Sequence, residues 1–266
     1  MSRFLFVVPP LAGHAYPAVA IADALGALGH EVAWVGTEPF LRPLVGDRAT
    51  IHGTGMRPYR GQRDRGLRAI KALWDGFVLP YARFTLPSVR RAVLAYRPHL
   101  VVTDQHALAG ALVAARQGVP WATLAPQAME LVRPLATLPK VEQWIGGRLA
   151  ALSTECGLGT GFDPRFSPHL VLVFSCAALL GPVALPRNVV LVGAVLGSRR
   201  GEPDPVPPDP GRRTVLVTMG TLAPDLARDF YPRVLGALAP LGDRVRAVLV
   251  APPEAVPAPP PHVRVV

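Results

Sequence analysis

The sequence predicts an α/β fold: a Rossmann-like, doubly wound parallel sheet in the N-terminal part, followed by an incomplete second Rossmann-like sheet. Three observations predict it. Apolar runs of strand length alternate with amphipathic helical stretches, the pattern of parallel strands joined by crossover helices. The runs are apolar at consecutive positions, as in strands covered on both faces. A proline-rich interval then interrupts the pattern, and a second β-α-β series starts after it. Residues 1–196 are therefore expected to form one domain, 197–213 a linker and 214–266 part of a second domain.

The expected strands of the first domain are Phe4–Val8, Val32–Val35, Thr50–His52, His99–Thr103, Trp121–Leu124, His169–Phe174 and Val189–Val192. Between the first two, Pro17–Leu28 reads as a helix with proline in its first turn and Gly29 as its stop. A longer helical stretch runs from Leu67 to about Tyr96, with breaks expected at Pro80 and Pro87, and another from Ala107 to Arg116. Residues 197–213 hold five prolines and no apolar periodicity, which is linker composition. Beyond them follow a strand at Thr214–Thr218, a helix at Leu222–Leu241, a strand at Arg244–Val250 and another opening at Val263. Three strands with one helix cannot cover both faces of a parallel sheet, so the second domain is expected to be incomplete and the chain a truncated product or fragment.

Composition excludes several classes. Half of the 266 residues are apolar and 17% are charged, a globular balance rather than a disordered one. No apolar run reaches the ~18 residues of a membrane span, and the opening Phe4–Val8 run stops at Pro9-Pro10, too short for a secretory signal. The formal charge of +10 comes almost wholly from arginines scattered along the chain, lysine occurring only at Lys71 and Lys140. The densest stretch, Arg57 to Arg68, is glycine-rich with Tyr59 as its one aromatic, which argues against a nucleic-acid surface and for a solvated loop. Cys156 and Cys176 lack metal-ligand spacing and read as reduced thiols of a cytoplasmic protein.

In a doubly wound sheet, ligands bind beyond the carboxyl ends of the strands, where the strand order reverses. If the first three strands run outward on one side, the strand at 99–103 pairs with the first on the other. His14, in the turn after the first strand, and Asp104, at the end of the fourth, then converge on one crevice. A neutral imidazole takes a proton from a hydroxyl while a carboxylate on its other nitrogen fixes the tautomer and stabilises the imidazolium. The same residues also fit a packed histidine at a helix start and an aspartate capping the following helix.

The turn from Pro9 to Pro17 has no Gly-x-Gly-x-x-Gly, which argues against a nicotinamide enzyme. Walker loops, paired histidine ligands and nucleophile elbows are also missing from the sequence. In the second domain, Val217-Thr218-Met219-Gly220-Thr221 runs a strand into a Gly-Thr turn before a helix. Free N–H groups there suit a phosphate, and a glycine turn with a threonine cap explains the residues as well.

Four segments together resemble a known family. Gly13-His14-Ala15-Tyr16-Pro17 with Gly29-His30-Glu31-Val32, Pro98-His99-Leu100-Val101-Val102-Thr103-Asp104, Leu185-Pro186-Arg187-Asn188-Val189 with Val192-Gly193, and Val217-Thr218-Met219-Gly220-Thr221 follow one another in the order found in nucleotide-sugar glycosyltransferases of natural products, the macrolide and enediyne type. The resemblance covers essentially the whole chain. It implies the GT-B arrangement of two Rossmann-like domains, with His14 as general base, Asp104 as its orienting carboxylate, and Gly220 and Thr221 facing the donor diphosphate. It also implies transfer from a UDP- or dTDP-sugar to a hydroxyl of a small acceptor with inversion, with no metal and no cofactor.

The regions 54–95 and 125–165, holding Trp74, Tyr81, Phe84, Met129 and Trp144, would wall an apolar acceptor pocket. The chain departs from the family in lacking a His-Gly-Gly turn and the acidic sugar contacts that go with it, so donor binding by this chain alone is in question. Two alternatives stay open: a non-catalytic acceptor-binding helper, and a lipid-linked N-acetylglucosamine transferase of cell-wall synthesis. The latter shares a Gly-His-x-x-Pro opening, although its opening turn is richer in glycine.

Overall fold

Strand β1 (Arg3–Val7) is flanked by β2 (Glu31–Gly36) on one side and by β4 (Leu100–Asp104) on the other, because an apolar strand buried on both faces belongs at a sheet's centre. In the computed structural model, which describes residues 1–57, 64–132, 135–195, 209–220 and 224–266, β3 (Thr50–Gly53), β5 (Trp121–Ala125), β6 (Val171–Val173) and β7 (Val189–Leu191) complete a seven-stranded parallel sheet in the order β3-β2-β1-β4-β5-β6-β7. The order therefore reverses between β1 and β4, as the sequence predicted.

Register and alternation sort the core into two layers. Leu5 lies beside Ala33 and Val101, and Val7 beside Val35. These residues pack with Trp74, Phe77, Tyr81, Leu108 and Leu112 on one face. Phe6 lies beside Trp34 and Val102 and packs on the other face with Ala18, Ala22 and Leu41.

Helix α1 spans Ala12–Ala27 and so begins earlier than Pro17. Leu11, in extended geometry, starts it by accepting bonds from the N–H groups of His14 and Ala15. Pro17 inside the helix removes the bond to the carbonyl of Gly13, an exposed residue with water at hand, so the helix continues. Its end matches the expectation at Gly29 (φ 82°): Gly29 N–H bonds to Gly26 and His30 N–H to Leu25, a Schellman closure that needs the left-handed glycine. Helix α2 (Glu38–Val45) follows β2.

The expected breaks at Pro80 and Pro87 do not occur. Helix α3 (Leu67–Leu73), a π-helical segment (Trp74–Val78) and α4 (Leu79–Tyr96) run on continuously. Both prolines and the residues four before them, Gly76 and Arg83, lie on the exposed face, so water takes the freed carbonyls. The π turn falls next to Pro80, where a widened ring accommodates the missing N–H.

Helix α5 spans Ala109–Gln117, starting two residues later than expected because Thr103 Oγ1 and Asp104 organise the turn before it. Strand β6 is shorter than the apolar run: Ser167 bonds to Trp121 O and to His169 N–H, substituting side-chain bonds for ladder bonds. Helices α6 (Met129–Val132), α7 (Pro139–Glu155) and α8 (Ala177–Leu180) complete this unit. Residues 1–57, 70–132 and 135–195 belong to it.

A second unit contains residues 209–220 and 224–266, with 64–69 grouped with it. Its strands β8 (Arg213–Thr218), β9 (Val245–Val250) and β10 (Val263–Val265) are parallel in the order β10-β9-β8, and α9 (Pro224–Leu238) connects the first two. Arg213, expected in the linker, is the first residue of β8; residues 197–208 of that linker lie outside the described residues. Ala227, Tyr231, Ala247, Leu249 and Val263 pack on one face, while Leu216, at 64% exposure, and Val250 lie on the other. Among the described residues, no helix is long and apolar enough to cross a membrane.

Candidate active site

The site follows from the reversal of strand order. After β1, the chain turns at Pro9-Pro10 and enters α1, whose third residue is His14. Tyr81 reaches across from α4 and donates its hydroxyl proton to Val8 O at 2.9 Å, fixing the exit of β1. Burial, and then the negative charge of Asp104, push the Tyr81 hydroxyl well above its ordinary pKa, so it stays a donor.

Asp104 ends β4, ninety residues further along the chain, and is fully buried. Its Oδ2 lies 2.8 Å from His14 Nδ1, and its Oδ1 accepts the His106 backbone N–H at 2.8 Å. Both carboxylate oxygens are thus used. A carboxylate against Nδ1 assigns the ring proton to that nitrogen and leaves Nε2 with the lone pair. His14 is 5% exposed, low enough for the pair to interact through protein rather than bulk water.

The structure adds a residue that sequence reasoning missed. The centre of the His106 ring lies 5.1 Å from that of His14 with the rings tilted by 31°, and the centre of the Trp74 ring lies 6.5 Å away, nearly perpendicular to it. One donor atom from each of His14, Asp104 and His106 lies within 4.8 Å of the others. The signal was a third polar residue two places after a strand-terminal aspartate, readable only once that turn is known to fold inward. Fully buried Gln105 and nearly buried Thr37, each following a strand at this sheet edge, have side-chain polar atoms without a hydrogen-bond partner among the described residues.

The residues expected to wall an acceptor pocket are distributed differently. Trp74 and Tyr81 are core residues, at 2% and 1% exposure. Phe84 lies on the surface, Trp144 is half-buried with Lys71 and Arg148 over its ring, and the Met129 side chain is outside the described residues.

In the second unit, Gly220 follows β8 in the left-handed region (φ 68°), and Thr221 lies outside the described residues. The N–H groups expected to be free at this turn are engaged: that of Gly220 bonds to Thr218 Oγ1, and that of Met219 to the Tyr231 hydroxyl. A hydroxyl two residues back closes such a turn locally, so a phosphate here must displace that bond.

No family model matches the chain. Over 209 residues it is 28% identical to the UDP-N-acetylglucosamine–N-acetylmuramyl-(pentapeptide) pyrophosphoryl-undecaprenol N-acetylglucosamine transferase of Verminephrobacter eiseniae, covering 69% of this chain and 55% of that protein. The chain spans about half the length, or less, of the curated relatives it matches.

Among solved structures, the glycosyltransferase of kitacinnamycin superposes with a TM-score of 0.72 at 20% identity, covering 100% of this chain and 70% of that one. The spinosyn rhamnosyltransferase SpnG complexed with thymidine diphosphate gives 0.69 at 24% identity, covering 98% of this chain and 70% of that one. The fold is thus that of the GT-B glycosyltransferases, built from parallel α/β sheets.

Proposed function

We propose that the chain carries the acceptor-activating half of an inverting glycosyltransferase, which moves a sugar from a nucleoside-diphosphate donor, UDP- or dTDP-linked, to a hydroxyl of a small natural-product acceptor. The observation that carries this reading is the buried 2.8 Å contact between His14 Nδ1 and Asp104 Oδ2 at the point where strand order reverses. In the reaction, the acceptor hydroxyl gives its proton to His14 Nε2 as its oxygen attacks the anomeric carbon. The bond from that carbon to the diphosphate oxygen breaks on the opposite side, and the nucleoside diphosphate leaves. Asp104 holds the resulting imidazolium through Nδ1–H. Gly220 and Thr221 are assigned to the donor diphosphate, whose charge is met by backbone N–H groups at the following helix start. Domain limits of 1–196, 197–213 and 214–266 belong to the same proposal, with Arg213 passing from the linker to strand β8.

The test is transfer from UDP- and dTDP-sugars to a panel of phenolic and macrolide acceptors, read by product mass. Products from the wild-type chain that disappear in His14→Ala support the reading; turnover surviving in that variant removes His14 as base. Acceptor binding with neither transfer nor donor hydrolysis would instead favour a non-catalytic helper.

A second reading is favoured by the N-acetylglucosamine transferases to which part of the chain is similar: the acceptor would be a lipid-linked muramyl peptide and the donor UDP-N-acetylglucosamine. Including that pair in the panel separates the two.

A further inference from the structure

Three buried side chains of two kinds meet at the switch point. His14, Asp104 and His106 are 5%, 0% and 1% exposed, and each brings one donor atom to within 4.8 Å of the others. Two imidazoles and one carboxylate form the donor set of three-ligand transition-metal sites that keep a further position open. We infer that this cluster binds one divalent transition ion of the zinc class, and that the ion competes with acceptor activation for His14.

The support around the ligands is already built. Asp104 Oδ1 is held by the His106 backbone N–H, so Oδ2 is presented in a fixed direction, as outer contacts do in metal centres. The two imidazoles lie tilted by 31° with centres 5.1 Å apart, and the Trp74 ring stands nearly perpendicular to that of His106. His14 Nδ1 and Asp104 Oδ2 are 2.8 Å apart. Ligands at about 2.0–2.1 Å from a tetrahedral ion stand roughly 3.3 Å from each other, so this pair opens by about half an ångström while His106 closes in.

The ion replaces the hydrogen between His14 and Asp104. The Nδ1 proton moves to Nε2, the ring stays neutral, and no proton is released from it. With its proton on Nε2, the ring has no lone pair to offer an acceptor hydroxyl. A single carboxylate leaves a dication one positive charge in excess, which selects water, hydroxide or another anion for the open position. Surface histidines offer nothing comparable: the Nδ1 atoms of His30 and His99 accept backbone N–H groups from the N-terminal strand segment.

The inhibitory half of this inference rests on the proposed role of His14; binding of the ion does not. The experiment titrates Co²⁺ into the metal-free 266-residue chain, following equilibrium dialysis and visible absorption, with circular dichroism as a check on folding. One ion per chain is expected, with the absorption of a four- or five-coordinate nitrogen and oxygen site. Folded His106→Asn and Asp104→Asn should each weaken binding by about 100-fold or more, at least the upper end of what losing an outer contact costs. Absence of binding, equal binding by both variants, or a thiolate charge-transfer band marking Cys156 or Cys176 would overturn it. Should Asp104→Asn fail to fold, His106→Asn decides alone. Site binding of Zn²⁺ with undiminished sugar transfer would keep the metal site and remove the proposed base.

Discussion

In the larger unit the first strand, β1, has a hydrogen-bonded partner on each side, whereas in the smaller unit the first strand, β8, is paired, among the described residues, only with β9. Both strands run into a turn and then a helix. After β1, neighbouring β4 delivers a second polar residue to the same place, so His14 and Asp104 are buried and bonded to each other. After β8, Thr218 and Gly220 are exposed and bond to each other locally. The difference teaches that a strand-turn-helix unit acquires a buried, bonded polar pair when a neighbouring strand brings a partner to it, which a lone β-α unit cannot supply.

The two units share one device. A buried tyrosine from a helix, Tyr81 or Tyr231, donates its hydroxyl to the carbonyl at the end of a strand, Val8 or Val250.

The largest effect expected from breaking the comparison is chemical. His14→Ala should lower kcat for sugar transfer by about 10²–10⁴-fold with circular dichroism unchanged, the span that general-base catalysis contributes. A substitution at the β8 turn should act on donor affinity instead, visible as a KM change. Leu112→Ala, in the buried face of α5, should cost about 2–5 kcal/mol in urea unfolding. Leu216→Ala, on the exposed face of β8, should stay within about 0.5 kcal/mol.

Tyr81→Phe and Tyr231→Phe should each cost about 1–3 kcal/mol, since each leaves a carbonyl without its donor. A loss confined to one of them would break the parallel between the units. The smallest effect is a rate: burial and neighbouring Glu155 hold the Cys156 thiol above its ordinary pKa, so near pH 8 it stays protonated. Iodoacetamide should therefore label exposed Cys176 before Cys156, as mass spectrometry of partially labelled chain would report.

Strand positions were legible because a parallel sheet buried on both faces demands unbroken apolar runs, and Phe4–Val7, Leu100–Val102 and Trp121–Leu124 satisfy that demand locally. Helix limits were less so. Pro17 was read as a first-turn residue, yet Leu11 accepts the first helical bonds and the exposed carbonyl of Gly13 tolerates the proline. Pro80 and Pro87 mark no break because they point to solvent, a fact about packing that residue type does not encode. The acceptor wall expected from aromatic content was dispersed, Trp74 and Tyr81 into the core and Phe84 to the surface, because aromatic residues serve cores and clefts alike.

The sequence by itself determined that apolar strands alternate with helices in two series, and that His14 follows one of those strands while Asp104 ends another. Local propensity and apolar patterning act over a few residues, and these features need nothing longer. Tertiary structure alone decided that the strand order reverses between β1 and β4, that the imidazole and carboxylate approach to 2.8 Å, that His106 folds inward to donate its backbone N–H beside the His14 ring, and that the Gly220 N–H is closed off by Thr218. Those outcomes depend on the twist and stacking of strands separated by some ninety residues of chain, and on which groups the packed core leaves without water.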